Sequence, residues 1–444
     1  MSEGYPQRDG FLQRALGVAR GMPGVTGAEP LTSEFGMNVQ IGERTSTVFL
    51  ENLYRELERM PPDEIEEGVR QFLGHLFQEP AGSGARSRTA LRLVLRPLSM
   101  SSSLQHAREH GGQGGPAETW LAEPFAPHLA AVLVEDRPTA IAYANRATLA
   151  ELGLTTRDAL AVARANLAAL ASEGLEEFQL PCGARAFRVE QVDGYEPSRL
   201  LIHGWLAAFE GRVAGRPVAI VPHTGLLVVT GDADPAAIGE LLGIALQAVQ
   251  RTNRWISPAP YTIDRQGAVV PYQLAPEQPN AAMVGACHVY LANFDYESQR
   301  EGLQGVPSFR ERGVELARFQ VLVRPDDGRS YGFTEWSGGR PQLLPRADLL
   351  LVQVAGRPCF VPFTQAEALA GAAFAREPGL EPERVLARGT PDAGLLDRLA
   401  AVAIDLRGMP PAPQPAPRSP LGRVLWRIQN WMRGGRGDGR PQPG

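Results

Sequence analysis

The stretch that most constrains this fold is Pro217–Thr252, which reads PVAIVPHTGLLVVTGDADPAAIGELLGIALQAVQRT. Two apolar runs, Val218–Val221 and Leu226–Val229, flank the short turn His223-Thr224-Gly225, and a long apolar segment follows. The runs are apolar throughout rather than alternating, which predicts strands covered on both faces. Gly225 stands where a hairpin turn needs a left-handed residue. Asp234 and Pro235 read as an N-cap followed by proline at the first helical position. The helix carries Ile238, Leu241, Leu242, Ala245 and Val249 on one face. Gly239 and Gly243 would allow another backbone to approach it closely. The unit is strand, turn, strand, helix, and shorter versions recur on both sides.

Toward the N-terminus, Met37–Ile41 and Ser46–Phe49 predict a hairpin turning at Gly42-Glu43-Arg44. A helix with Leu50, Leu53, Tyr54 and Leu57 at i, i+3, i+4, i+7 follows. Pro61-Pro62 stops it, and a second helix starts at Asp63 with acids in its first turn and the stripe Ile65, Val69, Phe72, Leu73, Leu76. Ala130–Glu135 and Thr139–Ala144 predict another hairpin. Asn145 can cap the next helix, and Thr155 to Asp158 open an Ala-rich one that ends near Gly174. Phe187–Val192 reads as a strand and Pro197–Phe209 as a helix. Ser257–Asn280 is rich in proline and reads as a connection, and a short helix is expected around Asp295–Leu303. The third region is strand-rich, with Leu316–Val323, Ser330–Trp336, Asp348–Val354 and Cys359–Phe363, and Thr364 with Glu367 forms a capping box for the helix after it.

These elements predict an α+β fold of several modules, each an antiparallel β-hairpin or small sheet with packed helices, plus a tethered C-terminal amphipathic helix. The expected boundaries are an N-terminal α+β domain at 1–98, a flexible linker at 99–118 and a middle α+β domain at 119–256. A Pro-rich connection at 257–284, a β-rich α+β domain at 285–408 and a Pro-rich spacer at 409–420 follow. A basic amphipathic helix at 421–433 and a disordered tail at 434–444 complete the chain.

Composition matters for what it excludes. All 44 basic residues are arginine, so no lysine is present for Schiff-base chemistry or for a P-loop. No GxGxxG opens a helix after a strand. A net charge of −5 argues against nucleic acid binding through the whole surface. Three cysteines, Cys182, Cys287 and Cys359, are far apart and odd in number, which fits a reducing compartment better than a disulfide framework or a structural zinc site. The first residues hold no apolar core of signal-peptide length, and no run of about 18 apolar residues occurs. The expected location is cytoplasmic.

The order VFLENLY, then LRLVLRP, then AVLVEDRPTAIAYANRATLAELGLTTRDALAVARANL, then VAIVPHTGLLVVTGD with its helix, resembles the YtpQ-like bacterial family, catalogued as a domain of unknown function. The resemblance runs from about Val25 to Tyr272. It implies a cytoplasmic bacterial α+β protein and brings no catalytic residues with it.

Candidates for chemistry each have a structural reading. Cys287-His288 are neighbours, and Cys182 precedes His203, but a thiol nucleophile needs an imidazole within reach in space; buried cysteine is the plainer reading. Asp232 and Asp234 could chelate Mg²⁺, yet a turn and a helix cap account for them. His223 reads as a hairpin residue and Trp336 as a core or edge aromatic. Neither a catalytic, a cofactor nor a metal site is expected.

The C-terminal segment is different. In Leu421–Arg433, LGRVLWRIQNWMR, the residues Leu421, Val424, Leu425, Ile428, Trp431 and Met432 fall in one arc of about 120°. From Arg418 to Arg440 there are six arginines and one aspartate, a local charge of +5. A basic amphipathic helix on a Pro-rich tether can lie on an anionic membrane, dock on a partner or fold back on its own chain. The contact residues expected are Arg423, Leu425, Arg427, Ile428, Trp431 and Arg433. The favoured function is a non-enzymatic protein- or peptide-binding or adaptor protein, with this helix as a localising element at the inner face of the membrane. The alternatives are a hydrolase using Cys182 or Cys287 with His203, His223 or His288, and a secretion-chaperone-like protein.

Overall fold

A computed structural model describes residues 8–30, 36–42, 44–50, 53–54, 57, 61, 64–77, 87–98, 120–136, 141–170, 174–189, 194–251, 254–304, 306–324 and 327–404. The fold is α+β, with helices packed on several small, mainly antiparallel sheets. The chain forms two compact units: Met1–Arg86 with Arg137–Ile141, and Ser87–Asp136 with Ala142–Gly444.

In the first unit, helix α1 (Arg8–Arg20) precedes the antiparallel sheet β1-β2-β3. Its strands are β1 (Val25–Pro30), β2 (Gly36–Ile41) and β3 (Arg44–Phe49). The expected hairpin is β2–β3, paired from Gly36↔Phe49 to Ile41↔Arg44. Sequence periodicity did not single out α1 or β1. Helix α2 (Ile65–Phe77) buries Ile65, Val69 and Leu73. These join Phe11, Leu16, Met37, Val39, Leu50, Leu53 and Leu57 in one core.

The second unit opens with β4 (Leu91–Pro97), expected above as the end of the N-terminal domain. It pairs along its whole length with β6 (Leu129–Asp136). β5 (Ala122–Ala126) flanks β6 on the other side, and β7 (Ile141–Tyr143) also pairs with β6. Helix α3 (Arg146–Leu152) carries the expected Asn145 cap as a full capping box with Thr148. Helix α4 (Thr156–Leu170) starts with Thr155 Oγ1 donating to Asp158 and accepting from its N–H. Next come β8 (Leu175–Gln179) and β9 (Arg185–Val189). Pro197–Phe209, expected as one helix, is two short 3₁₀ segments joined by turns.

The stretch that opened the sequence reading forms β10 (Pro217–His223), β11 (Leu226–Gly231) and helix α5 (Pro235–Arg251). The first two pair antiparallel and are buried over nearly their whole length. Asp234 caps α5 through the N–H of Ala236 at 2.8 Å. The turn differs from expectation: His223 pairs with Leu226, and Gly225 is not left-handed. Its N–H is instead held by the His223 ring, which fixes the turn without a positive φ. Of the two helix glycines, Gly239 faces Asn280 closely, while nothing approaches Gly243.

The Pro-rich connection is a second correction. β12 (Trp255–Ile263) is a buried strand beside β10, followed by edge strand β13 (Val269–Pro271), in the sheet order β13-β12-β10-β11-β9-β8. Proline lacks a ladder donor and is accepted at bulges. The register jumps here, Ile220 facing Pro260 while Val221 faces Ser257, so Pro258 and Ala259 fall in a bulge. Ser257 Oγ takes up the Ala259 N–H at 3.0 Å.

Helix α6 runs over Ala281–Leu303, far beyond the short helix expected at its C-terminal end. It packs on β12 and on the strands of the third region. After α7 (Pro307–Glu311) come β14 (Glu315–Leu316), β15 (Gln320–Val323), β16 (Ser330–Glu335), β17 (Gln342–Pro345), β18 (Leu349–Val354) and β19 (Arg357–Pro362). Helix α8 (Phe363–Ala370), β20 (Phe374–Arg376), β21 (Arg384–Ala387) and helix α9 (Ala393–Ala401) complete the described chain. The sheets are β15-β16-β18-β19 and β14-β17-β21-β20. No side chain caps α8, so the expected Thr364–Glu367 capping box does not form; Glu367 pairs with Arg346 instead. The described residues of 120–136, 142–256 and 285–404, expected to divide between two separate domains (119–256 and 285–408), share one compact unit, with α6 in contact with strands of both parts.

Candidate functional site

Helix α6 explains both the joining of those regions and the concentration of polar groups inside them. Val284, Cys287, Leu291, Asp295, Gln299 and Leu303 recur at steps of three or four, and all six are buried. One helix stripe is therefore apolar at both ends and polar between. A polar residue on a buried stripe needs a partner, because an unmatched buried polar group costs about 1–3 kcal/mol.

Asp295 finds His128. The ring Nδ1 lies 2.9 Å from Asp295 Oδ2, and the aspartate side chain is 0% exposed against 18% for the histidine. With the carboxylate as acceptor, Nδ1 carries the proton and Nε2 is the nitrogen left for other partners. His128 sits in the Pro127-His128 turn between β5 and β6 with φ of 65°, a left-handed backbone that non-glycine residues seldom adopt. Its carbonyl accepts from Leu98 N–H, and its ring meets Tyr296 edge-on at 5.7 Å.

Tyr296 and Gln299 reach the other way. The Tyr296 hydroxyl donates to the Glu383 carbonyl at 2.9 Å and accepts from Arg346 N–H, and burial pushes its phenol pKa up. Gln299 donates to the Pro382 carbonyl and accepts from Arg384 Nε at 2.6 Å. Arg384 is wholly buried. Its Nη1 donates to the carbonyls of Ala317 and Leu343, its Nη2 to that of Tyr296, and its guanidinium lies over the Tyr296 ring. Burial pulls its pKa down to about 10, so it stays a cation near neutrality.

Of the groups named for thiol chemistry, Cys287 and His288 are engaged inside the fold. Cys287 is buried, and desolvation pushes its thiol up to about 12, the reverse of an activated nucleophile. His288 spends Nε2 on the Tyr272 carbonyl at 2.9 Å, and burial holds its imidazole below the usual range. His223 accepts from Gly225 N–H and is shifted down by the same cause. Cys182 offers its backbone N–H to Glu240, and Cys359 lies in strand β19. Asp232 holds Arg216 through its backbone N–H and its Nε, and Trp336 donates to the Gly389 carbonyl from a buried position. Among the described residues no group of three His, Cys, Asp or Glu could hold a metal ion, and no helix is long and apolar enough to cross a membrane.

No family model, no curated protein and no solved structure matches this chain. The resemblance to the YtpQ-like family thus rests on residue pattern alone. The expected contact residues Arg423, Leu425, Arg427, Ile428, Trp431 and Arg433 lie outside the described residues. So do the linker at 99–118, the spacer at 409–420 and the tail at 434–444, save that the linker's neighbour Trp120 is described and stacks on Tyr143.

The polar cluster at α6 was not read from the sequence. His128 and Asp295 are 167 residues apart. A usable signal was present: a histidine follows proline at a hairpin turn where glycine or asparagine is usual.

Proposed function

We propose that this is a non-enzymatic protein- or peptide-binding or adaptor protein, with the basic amphipathic segment 421–433 as its localising element on an anionic membrane surface at the cytoplasmic face. The observation that carries the reading is the contrast between body and tail. The thiol and imidazole of Cys287 and His288 are committed to the interior, whereas the tail presents a cationic, apolar-striped pattern that suits contact rather than reaction. The YtpQ-like pattern over residues 25–272 belongs to the same proposal and adds no chemistry to it.

The test is sedimentation of the full chain, and of the chain lacking Arg418–Gly444, with phosphatidylserine vesicles. Binding by the full chain that disappears in the shortened one is the expected result. Equal behaviour of the two discards the tail as a localising element.

One observation favours a second reading, a hydrolase whose base is not among the histidines named from sequence. His128 combines a buried carboxylate on Nδ1 with a backbone in a sparsely populated region, a combination found at working sites. Its test is ester and amide hydrolysis by the protein and by His128→Gln. Hydrolysis abolished by that single change supports the reading, and its absence from the unchanged protein ends it. A chaperone-type groove in the first unit has less behind it, because the large apolar side chains that stand exposed among the described residues, Leu170 and Ile404, lie outside that unit.

A further inference from the structure

Strand β15 (Gln320–Val323) stands at one edge of the sheet β15-β16-β18-β19. Its pairing with β16 shows which main-chain groups that edge leaves over. Arg324 N–H donates to the Arg329 carbonyl at 2.8 Å, and bonded and non-bonded pairs alternate along an antiparallel ladder. Gln320 and Leu322 therefore turn their N–H and C=O groups to Phe333 and Tyr331, while Val321 and Val323 turn theirs away from β16. Gly332, opposite Val321, agrees with this phase: its N–H points the other way, to Asp348 at 2.7 Å. No described residue hydrogen-bonds the outward groups of Val321 and Val323. Such a row is a template for another strand, and natural edges are blunted with charges or prolines. Among the described edge strands of four or more residues, β1, β4, β5 and β19 hold both, β3 has Arg44, and β8 has Glu176 and Glu177. β15 reads QVLV and has neither. The Val321 side chain packs on the core around β10–β12, which holds the strand in place.

We propose that β15 is the interface of a symmetric dimer, in which it pairs antiparallel with β15 of a second copy of this chain across a two-fold axis at Leu322. The register follows from the spacing of the open groups. With Leu322 opposite its own counterpart, Val321 meets Val323 of the second copy and Val323 meets its Val321, and each of these pairs exchanges both N–H···O bonds. Every outward group of the strand is thereby satisfied, and the four-stranded sheet continues into that of the second copy. The side chains agree with this register. The Leu322 pair is apolar, Gln320 faces Arg324, and like charges nowhere stand directly opposite. Arg318, exposed and without an ion pair among the described residues, comes opposite position 326 of the second copy, beside Asp327. The Asp327 side chain is 31% exposed, and Arg324 and Arg329 hold it only at 3.7 and 3.4 Å, so each copy offers a free cation to the other's carboxylate. An interface resting on one short strand is small, so the association is reversible. It uses nothing of the tail and stands apart from the reading of that segment.

The experiment is sedimentation equilibrium of the full chain at concentrations up to about 1 mM, for the unchanged protein, Val323→Pro, Leu322→Arg, Leu322→Glu and an equimolar mixture of the last two. Val323→Pro removes only an outward N–H, and proline is tolerated where an edge donor faces away from its sheet. Unchanged hydrogen exchange in β10 and β12 is the folding control, and a variant that fails it leaves the decision to the others. The unchanged protein is expected to dimerise. Val323→Pro and both Leu322 variants are expected to weaken the dimer at least about tenfold, the Leu322 variants by setting like charges opposite each other. The mixture is expected to recover association, because the two introduced charges are opposite in sign. A protein that stays monomeric throughout overturns the proposal. In that monomer, fast exchange at the Val321 and Val323 amides assigns the edge to a strand of another protein, and slow exchange assigns it to the chain itself. A dimer that none of the substitutions weakens lies on another surface and overturns the proposal too. Loss in the single variants without recovery in the mixture overturns the two-fold register.

Discussion

The guanidinium of Arg384 reaches three backbone carbonyls and the Gln299 amide oxygen from a position without solvent. Arg384→Met fills the volume and removes a buried cation, but it strands those acceptors. The expected cost is about 3 kcal/mol, from acceptors worth roughly 1–3 kcal/mol each when left unmade, read as a lower urea midpoint with unchanged slope. Thr334 is the reverse case: its hydroxyl is buried in β16 with no hydrogen-bond partner. Thr334→Val keeps the shape and is expected to stabilise by about 1 kcal/mol. His288 gives a pH dependence. Its imidazole is held below the ordinary value of 6.5, chiefly by burial. The unfolded chain therefore takes up a proton that the fold refuses. The stability is present above pH 6.5 and is lost as pH falls below it. Urea midpoints measured downward from neutrality are expected to drop, and His288→Gln, which can still donate to the Tyr272 carbonyl, is expected to flatten that slope.

Among the elements, helices α5 and α6 show how much a glycine's surroundings matter. An added Cβ at Gly243 or Gly285 meets nothing within 4 Å, and both are helix interiors. Gly243→Ala and Gly285→Ala are each expected to stabilise by roughly 0.8–1 kcal/mol, the propensity difference between the two residues. Gly332 in β16 is the opposite. Its missing side chain is where the Phe319 ring sits, and Phe319 in turn stacks on Tyr296. Gly332→Ala is expected to displace that ring and lower the midpoint, while the two helix variants raise it; one denaturation series separates the cases. The caps at Asn145, Thr155 and Asp234 were legible because capping is local: the acceptor and the orphan N–H lie within three residues of one another. α6 was only partly legible because its buried stripe mixes Val284, Cys287 and Leu291 with Asp295 and Gln299, and periodicity reports the contrast between apolar and polar faces rather than burial itself.

For the whole molecule, the two compact units each hold a core of their own, one built around Phe11, Ile65 and Leu73 and the other around β10–β12, α5 and α6. Leu73→Ala is expected to lower the transition of the first unit by about 2–5 kcal/mol and to leave hydrogen-exchange protection in β10 and β12 unchanged. The sequence by itself determined what neighbours can settle: hairpin β2–β3, the buried pair β10–β11 with its helix, three helix caps and the α+β class. Only the tertiary structure decided that Pro258 and Pro260 lie in a strand, that one long helix joins two expected domains, and that His128 and Arg384 meet Asp295 and Gln299 in its polar half. The reason is range. A cap or a turn is satisfied within a few residues, whereas a buried carboxylate or guanidinium is satisfied by whichever distant backbone the fold brings to it, and nothing in the local pattern names that partner.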